Sequence, residues 1–252
     1  MKIAVCAKQI PDPAIEITYN GGIINRPDEQ VLDDTDRYGI EVALQLKEKF
    51  DAEVTVISMG SLGTEKGIQQ ALQMGPDGAL VLEDDSLSGA NSLMTANVLS
   101  ELSKKVEADI TIFGTESTDG YSGVIPQQVS RMLGVPCISY IKAVDIDDSV
   151  TLTRQTSTGS EKLVMPSNCV LSVTAGGVEP RYPNFKDIMA AKSKPIERIS
   201  IADINYDTQQ NLEFVDIKDV STTKQGEKII DEGEGFQIII DKLKELKAIW
   251  KH

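Results

Sequence analysis

Histidine is almost absent: the single one among 252 residues is His252, the last. That argues against a Ser-His-Asp triad and against a His-ligated metal site. Cysteine is scarce too. Cys6, Cys137 and Cys169 stand far apart without a CxxC pair, which disfavours disulfides and zinc; their apolar, strand-like neighbours read as core. No apolar run approaches the roughly 18–20 residues that span a bilayer, so no membrane insertion is expected. Positive charge is outnumbered, with 25 Lys and Arg against 39 Asp and Glu and a net charge of −14. Nucleic acid and anionic membranes both need concentrated Lys and Arg, so neither fits as a partner; an acidic surface reads first as solubility. The opening Met1-Lys2-Ile3-Ala4-Val5 enters a strand-like segment without a signal-peptide pattern. A cytoplasmic protein, or a mature form lacking its presequence, is expected.

What is present is enough apolar material for a sizeable core: 40% hydrophobic residues and 25% charged ones, in one large domain or one domain with an appendage. Ile3–Ala7 reads as a buried parallel strand. Asp34–Phe50 reads as an amphipathic helix with Ile40, Ala43, Leu44 and Leu46 on one face. Val54–Met59 is a second strand, and Gly63–Met74 a helix ended by Gly75-Pro76. Ala79–Leu82 and Ile110–Phe113 are strands around a helix from about Asn91 to Val106. Val124–Leu133 is another helix, stopped by Gly134. This alternation predicts an α/β fold, a doubly wound, mostly parallel sheet with helices on both faces. From Ser139 the rhythm changes: Tyr140–Ile146, Val150–Arg154 and Lys162–Met165 predict an antiparallel excursion. Cys169–Thr174 reads as a last core strand. Periodicity is weak from Ser193 to Lys224, and Phe236–Trp250 reads as an amphipathic helix bearing Ile239, Ile240, Leu243, Leu246 and Ile249. The expected division is 1–192 for the α/β domain and 193–252 for a C-terminal arm.

Ligands of such sheets bind at strand carboxyl ends near a switch in strand order, after Cys6, Met59 and Phe113. The loop Gly114-Thr115-Glu116-Ser117-Thr118-Asp119-Gly120-Tyr121-Ser122-Gly123 follows the Ile110–Phe113 strand and opens a helix with Pro126 in its first turn. It reads either as an ordinary Gly/Ser connection with Ser122 as N-cap, or as a phosphate cradle at a helix N-terminus. Leu32-Asp33-Asp34-Thr35-Asp36-Arg37 reads as a helix cap or as a set of ribose acceptors. No nucleophile or carbonyl-polarising group stands beside these carboxylates to make them an acid–base pair. The stretch 177–192 is dense in Pro, aromatic and basic residues. It reads equally as an interface anchor and as packing.

Together these segments resemble the β subunit of electron-transfer flavoproteins, a family that includes nitrogen-fixation-associated relatives. Glu179-Pro180-Arg181-Tyr182 followed by Ile188-Met189-Ala190-Ala191-Lys192 is similar to the family signature. Val5-Cys6-Ala7-Lys8-Gln9-Ile10-Pro11-Asp12 resembles its first strand and turn, and Gly114–Pro136 its nucleotide loop and helix. The resemblance spans about residues 1–200. It implies a heterodimer with an α subunit that carries most contacts to FAD, and an electron carrier with no acid–base site and no metal of its own. AMP in this subunit is implied, or a second FAD in electron-bifurcating members. By position the nucleotide pocket would use Cys6, Asp33, Asp34, Thr35, Asp36, Met59, Asp119, Gly120, Tyr121, Ser122, Gly123, Val124, Ile125 and Gln127. Backbone groups of Ser122 to Ile125 would cradle the phosphate. Glu161 aligns with a glutamate that reaches toward the flavin region of the α subunit. Glu179, Pro180, Arg181, Tyr182, Phe185, Ile188, Met189 and Lys192 would dock a dehydrogenase donor of the acyl-CoA type, with Phe185 as apolar anchor. The chain departs from many members at Asp33-Asp34-Thr35-Asp36, where Asn-Pro-aromatic-Cys/Asp is usual, and at Tyr121, which favours AMP over a second FAD. A free-standing adenine-nucleotide sensor is the competing reading, and the 179–192 signature argues against it.

Overall fold

Short β-branched and aliphatic runs form the strands, and longer amphipathic runs form the helices that cover them. The computed structural model describes residues 1–20, 23–27, 29–60, 65–147, 149–206, 230–231 and 233–246. In chain order the elements are β1 (Lys2–Cys6), β2 (Gln9–Pro11), β3 (Tyr19–Asn20), β4 (Ile23–Ile24), β5 (Gln30–Leu32) and α1 (Asp36–Phe50). Next come β6 (Glu53–Gly60), α2 (Lys66–Met74), β7 (Gly78–Glu83), α3 (Ser92–Lys105), β8 (Ile110–Gly114) and α4 (Ile125–Leu133). Then follow β9 (Cys137–Ile146), β10 (Val150–Thr156), β11 (Gly159–Val164), β12 (Cys169–Val173), α5 (Phe185–Ala191), β13 (Ile196–Ile199) and α6 (Gly235–Glu245). The chain divides into two units, Met1–Asp216 and Ile217–His252.

The first unit is built on a nine-stranded sheet of order β11-β10-β9-β12-β8-β1-β6-β7-β13. From β9 to β13 every neighbouring pair is parallel, while β10 and β11 extend the sheet antiparallel. The expected α/β architecture and its antiparallel excursion are both present. Successive strand residues point to opposite faces, so β1 sends Ile3 and Val5 into one core and Ala4 and Cys6 into the other. The first core is closed by α1 and α2 through Ile40, Leu44, Leu46, Ile68 and Leu72. The second is closed by α3 and α4 through Val98, Leu99, Leu102 and Val129. Each large aliphatic side chain so buried contributes about 1.5–3 kcal/mol.

Helix ends follow local chemistry. Asn91 caps α3 through its side chain to Met94 N–H, and Gly134 closes α4 at φ 70°. α1 begins at Asp36, not at Asp34, because Asp33 and Thr35 are engaged in loop bonds described below. α2 begins at Lys66; Gly63 lies outside the described residues. Ser122 is not the N-cap of α4: that position is Val124, without a side-chain cap. The stretch 177–192 is not all loop, because Asn184 and Asp187 form a capping box that starts α5.

The sheet also runs past residue 192, where the arm was expected to begin. β13 pairs in parallel with β7, Ile196 opposite Ala79 and Ile199 opposite Leu82. Four residues with two apolar ones show no periodicity; pairing across the sheet makes them a strand. α6 is shorter than the expected Phe236–Trp250, and Ile249 lies outside the described residues, as does most of the 193–224 stretch. Among the described residues no helix is long and apolar enough to cross a membrane.

Candidate functional site

The strand order reverses between β1 and β8, since β6 and β7 build outward on one side of β1 and β8 starts the other side. Two loops leave this point, one after Cys6 and one after Gly114, and they meet the N-terminus of α1. The backbone of Lys8 joins both sides of the α1 entrance. Its N–H donates to Asp36 Oδ2 at 2.6 Å, and its carbonyl accepts from Asp33 N–H at 2.9 Å.

Asp33 is fully buried and ties the two loops together. Its Oδ1 accepts from Thr35 N–H (3.0 Å) and lies 2.8 Å from the Thr35 hydroxyl. Its Oδ2 accepts from Thr118 N–H (2.7 Å) and lies 3.1 Å from the Thr118 hydroxyl. Thr35 Oγ1 also stands 3.0 Å from the Glu116 carbonyl. A carboxylate engaged on both oxygens is a latch between the two loops. Asp36 is buried beside it. Burial first, then the Asp33 charge, pushes its carboxyl up to about 8, against the pull of the Lys8 and Gly114 N–H groups. The packing at Gly114 is tight, since a Cβ would stand 3.0 Å from Asp36 Oδ1.

Asp119 is the floor of the exposed part. Its side chain is 2% exposed, with Oδ1 at 2.5 Å from Lys8 Nζ and Oδ2 at 2.5 Å from Arg26 Nη2. Burial pushes this carboxyl up, but the two cations outweigh it and hold it below the usual range. Beyond it the chain turns sharply. Tyr121 has φ 46°, unusual for a bulky residue, with its N–H held by the Ser117 carbonyl at 3.0 Å and its ring exposed; Gly123 has φ 61°. Gly120, Tyr121, Ser122 and Val124 are exposed, leading to the uncapped α4 N-terminus with Pro126 in its first turn. Gln127 donates to Ser139 Oγ at 3.0 Å, and the amide oxygens of Gln127 and Gln128 are buried without a partner among the described residues. Free helix N–H groups with a positive dipole end suit a phosphate.

Of the expected pocket residues, Asp33, Thr35, Asp36 and Asp119 to Gln127 converge here. Met59, partly buried, is the last residue but one of β6, on the far side of β1 from β8. Cys6 is a core residue whose thiol burial pushes well above the ordinary range. Asp34 faces solvent and pairs with Arg37 at 2.9 Å. Glu161 lies on the outermost strand, β11, paired with Arg154 at 2.7 Å. Lys8 and Arg26 belong to the cluster but were not among the expected site residues; Ser117 and Thr118 join it from the loop read as a phosphate cradle. Lys8 had a signal, its place two residues after β1, whereas Arg26 arrives from a β3–β4 excursion that the sequence pattern does not announce.

The 179–192 segment meets α1 through Arg181 and α2 through α5. Arg181 is half-buried and clamped: it donates from N and Nε to Glu41 Oε2 (3.1 and 2.7 Å) and from Nη2 to Glu41 Oε1 (3.0 Å). Its Nη1 reaches Glu48 at 2.5 Å. Desolvation opposes ionisation of the buried Glu41, and Arg181 overrides it, holding the carboxyl below its usual range. Tyr182 and Phe185 stand 89% and 79% exposed, with Met189, Glu179 and Lys192 exposed and Pro180 and Ile188 half-buried. The charged clamp is thus half-buried and the apolar face outside. A shallow groove of about 400 Å³, lined by Gln45, Glu48, Lys49, Val144 and Ile146, shares Glu48 with this clamp and no lining with the switch-point cluster.

Against known proteins, a family model described as the electron transfer flavoprotein domain matches residues 21–204. The chain is similar to a protein of Mycobacterium tuberculosis, 32% identical over 98% of this chain and 99% of the relative. It is similar to one of Mycobacterium leprae at 34% over the same shares, and to one of Clostridium acetobutylicum at 31% over 97% and 98%. All three carry the name electron transfer flavoprotein subunit beta.

Proposed function

Because the chain belongs to the electron transfer flavoprotein family, we propose that it is the β subunit of an electron carrier. With an α subunit it forms a cytoplasmic heterodimer that holds FAD, takes electrons from a dehydrogenase and passes them on. It is a carrier without acid–base catalysis of its own. The observation that supports this most is similarity to named β subunits from end to end, 98% of this chain and 99% of the relative in Mycobacterium leprae.

The residues at the switch point suit a nucleotide: an uncapped helix start, two left-handed backbone turns and cations set over a buried carboxylate. AMP is the nucleotide proposed, its phosphate on the backbone of Ser122 to Ile125. Asp33 and Asp36 hold the two loops in register and Asp119 orients the cations. FAD, held mainly by the α subunit with Glu161 facing it, supplies the electron chemistry. Tyr182, Phe185, Ile188 and Met189 present the apolar face to the donor, and Arg181 with Glu41 keeps that face in place. The chain after the sheet, with α6 and its exposed Phe236, Ile239 and Leu246, is the arm that packs on the α subunit.

Co-expression with a candidate α subunit tests this. A one-to-one complex with flavin absorbance and one extractable AMP is the expected result. A colourless monomer that ignores every α subunit contradicts it, and FAD extracted in place of AMP reassigns the nucleotide.

A further inference from the structure

Four carboxylates stand at the switch point: Asp33, Asp36 and Asp119, and Glu116, whose Oε2 lies 3.4 Å from where a Cβ on Gly123 would stand. A phosphate there meets repulsion unless cations face it. Among the described residues Lys8 and Arg26 are the cations paired with Asp119, brought from separate segments onto one carboxylate. Their side chains are 39% and 30% exposed, above an Asp119 side chain that is only 2% exposed. The carboxylate lies beneath and the cations face outward.

Neither cation exhausts its donors. Lys8 Nζ donates to Asp119 and to Ser117 Oγ (3.1 Å), which among the described residues leaves one of its three N–H groups. Arg26 uses Nη1 on the Gln9 carbonyl (3.0 Å) and Gln30 Oε1 (3.2 Å) and Nη2 on Asp119. Among the described residues its Nε–H and second Nη2–H are unspent. Lys8 Nζ also lies 3.6 Å from where a Cβ on Gly120 would stand, at the start of the turn into α4.

We propose that Lys8 and Arg26 are the phosphate-recognition pair of this site, specific for the phosphate ester of an adenine nucleotide. The inference rests on the nucleotide assignment above and adds what selects the nucleotide over its nucleoside. Asp119 positions both cations: it fixes the guanidinium fork and the ammonium and leaves the triad with a net charge of +1. A planar fork beside a point charge suits a tetrahedral dianion.

Calorimetric titration of the full chain, freed of nucleotide, with AMP and with adenosine tests this. For Lys8→Gln and Arg26→Gln, AMP affinity is expected to fall roughly ten- to a hundred-fold, with adenosine affinity unchanged and Arg26→Lys recovering part of the loss. Parent-like AMP affinity in both variants overturns the proposal while leaving the nucleotide assignment intact. Failure of the parent to bind AMP overturns both. A second measurement needs no variant: AMP should shield Lys8 from acylation by acetic anhydride and adenosine should not, and equal labelling with either overturns the pair's role.

Discussion

Asp36 holds its proton for a reason that can be measured. Its folded-state value of about 8 stands far above the ordinary 3.8, so between about pH 4 and 8 the folded chain binds a proton that the unfolded chain has released. Stability attributable to this group therefore falls as pH rises through that window. Asp36→Asn removes the titration and keeps an acceptor for the Lys8 N–H. Urea melts at pH 5.5 and pH 8.5 should show the variant gaining on the parent at the higher pH, at about 1.4 kcal/mol per pKa unit removed; a constant difference between the two pH values contradicts the assignment. Glu41 has the opposite sign. Arg181 holds it low, so its contribution is present above the ordinary carboxylate range and fades as pH falls. Arg181→Ala strands that buried carboxylate and should cost roughly 1–3 kcal/mol, most visible near neutral pH and shrinking toward pH 3 as Glu41 takes a proton. At this scale the sequence named the aspartates and left their partners open. Asp33 could be read as a cap or as a ligand because its partner Thr118 lies 85 residues away, and the Arg181 stretch as an anchor or as packing because Glu41 is 140 residues away in the chain.

The elements best legible in sequence were those whose pattern is complete within themselves. β1, β6, β8 and β12 are mostly apolar runs, and α1 and α3 carry their own faces. β13 and the short β2–β5 and β3–β4 pairs were not legible, since two to four residues hold no periodicity and form only against partners elsewhere. α5 follows from a capping box at Asn184 and Asp187 that was readable but lay in a stretch dominated by Pro and aromatic residues. Where that stretch begins, Gly177 packs against β9 so closely that a Cβ would sit 2.5 Å from Lys142 Cα and 2.7 Å from its carbonyl oxygen. Backbone cannot yield as a flexible side chain can. Gly177→Ala should lower stability by roughly 1–3 kcal/mol and raise amide exchange across 178–191; unchanged exchange there contradicts the contact. Phe185→Ala offers the contrast, because the ring is 79% exposed. Thermal stability should change by less than about 0.5 kcal/mol, while reduction of the reconstituted heterodimer by its dehydrogenase needs a higher concentration of donor.

For the whole molecule, the sheet and its switch point followed from the alternation of strand and helix patterns, whereas the site's cations depended on a fold that brings residues 8, 26 and 119 together. The charge total carried no hint of this, because a net −14 says nothing of where two cations stand. The sheet's outer boundary has a consequence for life at high concentration. β11 pairs with β10 on one side and ends the sheet on the other, and every residue of it is exposed or half-buried. Such an edge is a template for strands of other chains. Glu161 and Lys162 are consecutive, so one charge stands on each face of the ribbon, Glu161 held by Arg154 and Lys162 near Asp145. Any chain adding to this edge would have to accommodate a carboxylate on one face and an ammonium on the other. Replacing both residues by Thr and Val should leave the monomer folded and convert it into one that self-associates, with light scattering rising as concentration and ionic strength increase.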